Sequence, residues 1–173
     1  METSIFPIYP RQRLFGLFLC LVSLALFLPV ALPYQGQPNG VLFGMCYATA
    51  LLGVMVNPLL RSRLALRPAT ARQRRFSNSG LVLLTAGAAL ASVLFAADPR
   101  TLWLGLFFIV GAHFLLFVPV HGRIAGILGA LLMANATAGF LLPNLALPVF
   151  FITDGSLKLV AGSLYLKISP LNW

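Results

Sequence analysis

The 173 residues are 60% hydrophobic and only 9% charged, with a mean hydropathy of +0.94, whereas an ordinary soluble domain carries roughly 25% charged residues. That composition excludes a soluble domain and points to a chain that lives in a bilayer. Twelve Lys and Arg against three Asp and Glu give a net charge of +9, but the basic residues lie beside long apolar runs with little aromatic interleaving, so nucleic acid is not expected as a partner.

A spanning helix needs about 20 predominantly apolar residues, and six stretches qualify. The first, Leu14 to Ala31, follows Arg11 and Arg13 as a signal peptide would. Its exit, Leu28-Pro-Val-Ala-Leu-Pro33, puts proline where a cleavage site wants a small residue, so cleavage is not expected. The second, Val41 to Leu60, has small residues at four-residue spacing, Gly44 with Ala48 and Thr49 with Gly53. A connection over 61–79 then carries six arginines, Arg61, Arg63, Arg67, Arg72, Arg74 and Arg75, and no acid. Such a loop stays on the cytoplasmic side and touches anionic lipid headgroups.

The third stretch, Gly80 to Ala97, has a short small-residue row at Ala88, Ser92 and Ala96 and ends in the turn Asp98-Pro99-Arg100. Arg100 is the one cation that disagrees with an orientation placing both termini inside. The fourth, Thr101 to Val120, contains His113 and is followed by His121, expected to be solvated at the inner interface. The fifth, Arg123 to Leu142, carries the longest small-residue row, Gly122, Gly126, Ala130, Ala134 and Ala138. Since small residues mark the contact faces of membrane helices, this helix is predicted at the bundle centre. The sixth, Leu147 to Leu166, holds Asp154 and Lys158. The short turns around His121-Gly122 and Pro143-Asn144 make the last three helices an antiparallel triplet. Similar endings of the first and fourth stretches, Leu26-Phe-Leu-Pro-Val30 and Leu116-Phe-Val-Pro-Val120, are compatible with an inverted repeat.

The expected fold is an all-α integral membrane protein, one domain over 1–173, with six transmembrane helices and both termini in the cytoplasm. Its location would be the cytoplasmic (inner) membrane of a bacterium. Cys20 and Cys46 fall at different depths, so no disulfide is expected.

Intramembrane charges are costly, about 2.5–3.5 kcal/mol each at a helix centre, and mark functional sites often enough to be examined first. Asp154 stands at the favourable i, i+4 spacing before Lys158. At 1.5 Å per residue, Asp154 and Asn135 both lie about two turns from the outer face, and Lys158 and His113 about three. These four form the predicted polar cluster, with Thr137, Thr153, Ser156 and Ser163 as supporting hydroxyls. Two histidines without local Cys, Asp or Glu spacing do not make a metal site. No nucleophile motif, phosphate-binding glycine loop or haem-ligand pair is present, so neither an enzyme nor a cofactor is expected.

Asp154-Gly-Ser-Leu-Lys158 followed by Gly162 resembles the final helix of microbial rhodopsins, in which an Asp precedes the retinal-binding Lys by one turn. The resemblance covers that helix alone. The preceding helix has no Trp or Tyr to cage a polyene, and retinal is not implied. Six helices in this length also match urea and amide channels and vitamin-uptake subunits in size only.

Two functions fit these features. One is a small channel or carrier for a small polar solute or ion, with Asp154, Lys158, His113 and Asn135 along its path. The other is a non-transporting accessory or assembly subunit of a larger membrane complex, with the cluster as structural glue. Either is expected to work as a homo-oligomer or beside a partner.

Overall fold

The computed structural model describes Tyr9, residues 11–65 and residues 69–169. The chain folds into helices α1 (Gln12–Ala31), α2 (Gly40–Ala50), α3 (Pro58–Leu64), α4 (Ala71–Leu94), α5 (Pro99–Leu116), α6 (Val118–His121), α7 (Arg123–Leu141) and α8 (Leu147–Ile168). A π-helical segment, Leu51–Val56, extends α2. Five helices, α1, α4, α5, α7 and α8, are long and apolar enough to cross a membrane, and α2 with α3 makes a sixth if the bent pair is one span.

Proline decides where the expected straight helices break. The second apolar stretch was expected to run unbroken to Leu60, but Pro58 has no N–H and forces Asn57 into an extended conformation. The Asn57 Oδ1 then accepts from the N–H groups of Leu59 and Leu60 at 2.9 and 3.3 Å and starts α3 at 58° to the preceding helix. In the same way α5 ends at Leu116 ahead of Pro119, and a single turn, α6, leads to Gly122 at φ 88°. Pro29, in the matching sequence of the first stretch, lies inside α1.

The connection expected over 61–79 is largely helical. Thr70 and Gln73 cap α4 reciprocally, the Thr70 hydroxyl accepting from the Gln73 N–H and the Gln73 side chain from the Thr70 N–H. Arg72, Arg74 and Arg75 therefore ride on the first turns of α4, and Arg61 and Arg63 on α3. Arg67 lies outside the described residues.

The most intimate packing is between α1 and α8, not around the fifth predicted helix. They cross antiparallel through glycine: a Cβ on Gly16 would lie 2.8 Å from the Gly162 carbonyl oxygen, and one on Gly162 2.7 Å from that of Gly16. A second crossing joins α5 to α7, where a Cβ on Gly111 would sit 2.8 Å from the Gly129 oxygen. That contact sets the face α7 buries, which comprises Ala125, Leu128, Gly129, Leu132, Ala136 and Gly139. Ala130 and Ala134 of the expected row are exposed, because the row is offset by one position from Gly129. Helices α1, α5, α7 and α8 form the centre; α2 leans on α1 and α4 on α5.

This packing gathers the N-termini of α1, α4 and α7, the C-terminus of α8, and α3 at one end of the bundle. Arg11, Arg13, Arg61, Arg63, Arg72, Arg74, Arg75, Arg123 and Lys167 all lie there. At the other end Arg100 has a specific role. Its guanidinium donates to the carbonyls of Leu145, Gly139 and Leu142 at 2.7, 2.8 and 3.0 Å, covering the exposed C-terminus of α7.

Replacing Gly162 by Val forces two backbones apart and should destabilise the protein by about 1–3 kcal/mol or more. Gly44→Ala, where nothing lies within 4 Å, should be neutral or slightly stabilising. Thermal unfolding of detergent-solubilised protein checks both.

Candidate functional site

The buried face of α8 repeats at helical spacing as Phe151, Asp154, Gly155, Lys158, Gly162 and Tyr165. Asp154 is 0% exposed and Lys158 3%. The Lys158 Nζ donates to the Asp154 Oδ2, so the two charges neutralise one another within one helix. Phe27 of α1 packs beside the pair on Gly155: a Cβ there would lie 2.5 Å from the Phe27 ring, leaving room for no larger residue. The other carboxylate oxygen, Asp154 Oδ1, is buried and has no hydrogen-bond partner among the described residues.

The depth-matched partners do not complete this pair. Asn135 is half-buried and its Nδ2 donates at 3.0 Å to the Phe150 carbonyl, one turn before Asp154. It ties α7 to the backbone of α8 rather than to the carboxylate. His113 is buried, but its Nδ1 donates to the Val110 carbonyl at 2.8 Å within its own helix, and its ring lies 4.6 Å from those of Phe114 and Phe117. Thr137, Thr153, Ser156 and Ser163 are exposed; the Thr153 hydroxyl donates back to the Val149 carbonyl at 2.9 Å, and Ser163 hydrogen-bonds to Cys20 of α1. The hydrogen bonds of His113 and Asn135 go to backbone carbonyls, not to the ion pair.

A second polar node, at the basic end, was not expected. His121 is 3% exposed, not solvated. Its ring stacks on Phe15 at 3.9 Å between centroids and 8° between planes. Its carbonyl accepts from the Gln12 Nε2 and the Tyr165 hydroxyl, both at 3.1 Å. Nearby, the Gln73 Nε2 donates to the Pro119 carbonyl at 3.3 Å and the Arg13 Nη1 to the Ser169 carbonyl at 2.9 Å. Gln12 and Tyr165 could have been suspected only as polar groups at the ends of apolar stretches. Burial, and then the charges of Arg11 and His113, push the His121 imidazole down to about 3. Burial and the nearby charge of Arg61 lower the Arg11 guanidinium in turn.

The fold defines an all-helical protein with five or six helices fit to cross a membrane, built around a closed intrahelical ion pair. Residues 3–172 match the model of a family described as a family of unknown function (DUF6609), and the chain belongs to that family. No curated protein and no solved structure matches it.

Two outcomes follow. Lys158→Met strands a buried carboxylate and should cost about 3–5 kcal/mol, while Asp154→Asn with Lys158→Met should cost far less than the two single changes together; thermal unfolding of the four proteins reads the coupling. A histidine held neutral when folded binds its proton only on unfolding, so stability is full above about pH 6.5 and falls as pH drops, by up to about 1.4 kcal/mol per pH unit. Between pH 7.5 and 5 that slope should be shallower in His121→Phe, which keeps the stack on Phe15. Asp98 lies outside this window. Hydrogen bonds from the Thr101 side chain and backbone hold its carboxyl below its ordinary value, so its contribution is lost only at lower pH.

Proposed function

We propose that this chain is a six-span protein of the cytoplasmic (inner) membrane with both termini in the cytoplasm, serving as a non-transporting accessory or assembly subunit of a larger membrane complex. The clustering of basic residues at one end of the bundle supports that orientation. The single observation that carries the functional reading is the burial of the Asp154–Lys158 pair, which is 0% and 3% exposed and self-neutralised within α8. A pair of this kind fixes the rotation of α8 without opening a route through the bundle. The flanking helices supply surface for partners, since α4 buries only Gly80 and Ala91 and α2 only Ala50.

A second reading, a channel or carrier for a small polar solute or ion, has its own observation. Asp154 Oδ1 is a buried acceptor without a donor, and in a second conformation it would be available to a proton or small cation.

Cysteines placed at Arg74 and Gln37 test the orientation: a membrane-impermeant maleimide added to intact cells should label the second and not the first. Proton and monovalent-cation flux in proteoliposomes tests the function. Flux no greater than in empty liposomes, together with in-cell crosslinking of the α4 face to another membrane protein, is the expected result. Flux that disappears in the folded Asp154→Asn, Lys158→Met variant would replace this reading with the transport one.

A further inference from the structure

We infer that α3 and the first two turns of α4 form a docking surface for the headgroups of anionic phospholipids in the leaflet at the basic end of the bundle. The bend at Asn57-Pro58 turns the chain through 58°, so that α3 leaves the line of α2. Leu60 and Leu64 pack toward the core, while Arg61 and Arg63 are exposed beside Leu59, which is 69% exposed. On the far side of the connection, Arg72, Arg74 and Arg75 are exposed on α4. This second set of arginines is held in place, not loose. The Thr70–Gln73 cap fixes the start of α4, and the Gln73 bond to the Pro119 carbonyl anchors it to the bundle.

Charge complementarity selects the occupant. No acid occurs anywhere between residues 57 and 79, and among the described residues the one ion pair is Asp154–Lys158. Among the described residues the guanidinium groups on α3 and α4 thus have no counter-ion, and that of Arg72 lies over the Phe76 ring, 5.9 Å from its centroid. Their planar forks match phosphate oxygens two at a time. Further along the helix axes the surface turns apolar: Leu52 and Val56 precede α3, and Leu81 and Val82 follow the arginines of α4, all exposed. Phosphate-matching cations next to exposed aliphatic side chains, on two segments consecutive in the chain at the same end of the bundle, suit an amphiphile, with the headgroup on the arginines and acyl chains along the helices. A free anion would use only the first half of this surface. Each basic residue near an anionic headgroup contributes a factor of about five in affinity.

The inference rests on membrane insertion, which the cysteine labelling tests separately; protein that labels as an integral membrane protein and shows no lipid preference fails this proposal alone. The experiment uses full-length, delipidated protein in a neutral detergent, titrated with phosphatidylglycerol or phosphatidylcholine, with bound lipid counted by native mass spectrometry and the unfolding midpoint measured in parallel. The wild type should bind phosphatidylglycerol about tenfold or more in preference to phosphatidylcholine. The combined variant Arg61→Gln, Arg63→Gln, Arg74→Gln, Arg75→Gln should lose that preference to within about twofold, its midpoint in phosphatidylcholine unchanged. The same four positions changed to Lys should retain part of it, which keeps the test valid if the Gln variant folds poorly. Arg123→Gln with Lys167→Gln, at the same end but on other helices, should leave it intact. An equal loss in this control pair would mean diffuse surface charge and overturn the assignment. So would undiminished preference in the folded Gln variant, or stabilisation by inorganic phosphate equal to that by phosphatidylglycerol.

Discussion

The backbone contact between α1 and α8 at Gly16 and Gly162 is the constraint on which the other features depend. Each glycine carbonyl occupies the space where the other residue's Cβ would stand, so the two helices approach more closely than any pair bearing side chains there. In a bilayer, where burial of apolar surface gives helices little reason to associate, such approach maximises dispersion contacts along the crossing. It also delivers Phe27 onto Gly155 at one end and Phe15 against Tyr165 and His121 at the other, with ring centroids 5.5 and 3.9 Å apart. Phenylalanines of α1, the most hydrophobic of the five long candidate spans, thus lie beside both polar sites described above.

A second regularity is the treatment of helix ends. The last carbonyls of a helix have no partner within it. Here neighbouring helices supply donors: Arg100 of α5 covers the end of α7, Arg13 at the start of α1 reaches the end of α8, and Gln12, Gln73 and Tyr165 serve the turn between α5 and α7. This explains why a cation sits at the end of the molecule opposite the basic cluster. Arg100 answers a local need for donors that outweighs the general distribution of charge.

The ion pair shows how cost and benefit divide in a buried site. Bringing two charges into a low-dielectric interior is unfavourable, and the i, i+4 geometry recovers part of that through a contact made inside one helix. Because the pair needs no other helix to neutralise it, α8 could present it to a partner, a pathway or nothing at all. Its burial is what favours a structural role, while the unpartnered oxygen of Asp154 keeps the carboxylate chemically competent.

Much was legible in the chain alone, since apolar length, proline and charge act locally. Helix existence, the antiparallel last three helices and the i, i+4 pair follow from interactions within a few residues of each other. Asn135 and His113 could be assigned a distance along their helices because rise per residue is a property of any helix. Their rotation could not, because it is set by which glycines meet across the bundle, and Gly129 rather than the longer row through Ala130 and Ala134 made the contact with Gly111. For the same reason the pairing of the first helix with the last, the burial of His121 and the packing of Phe27 on Gly155 were decided only by the tertiary structure: each depends on contacts between residues more than a hundred positions apart in sequence, which no local pattern encodes.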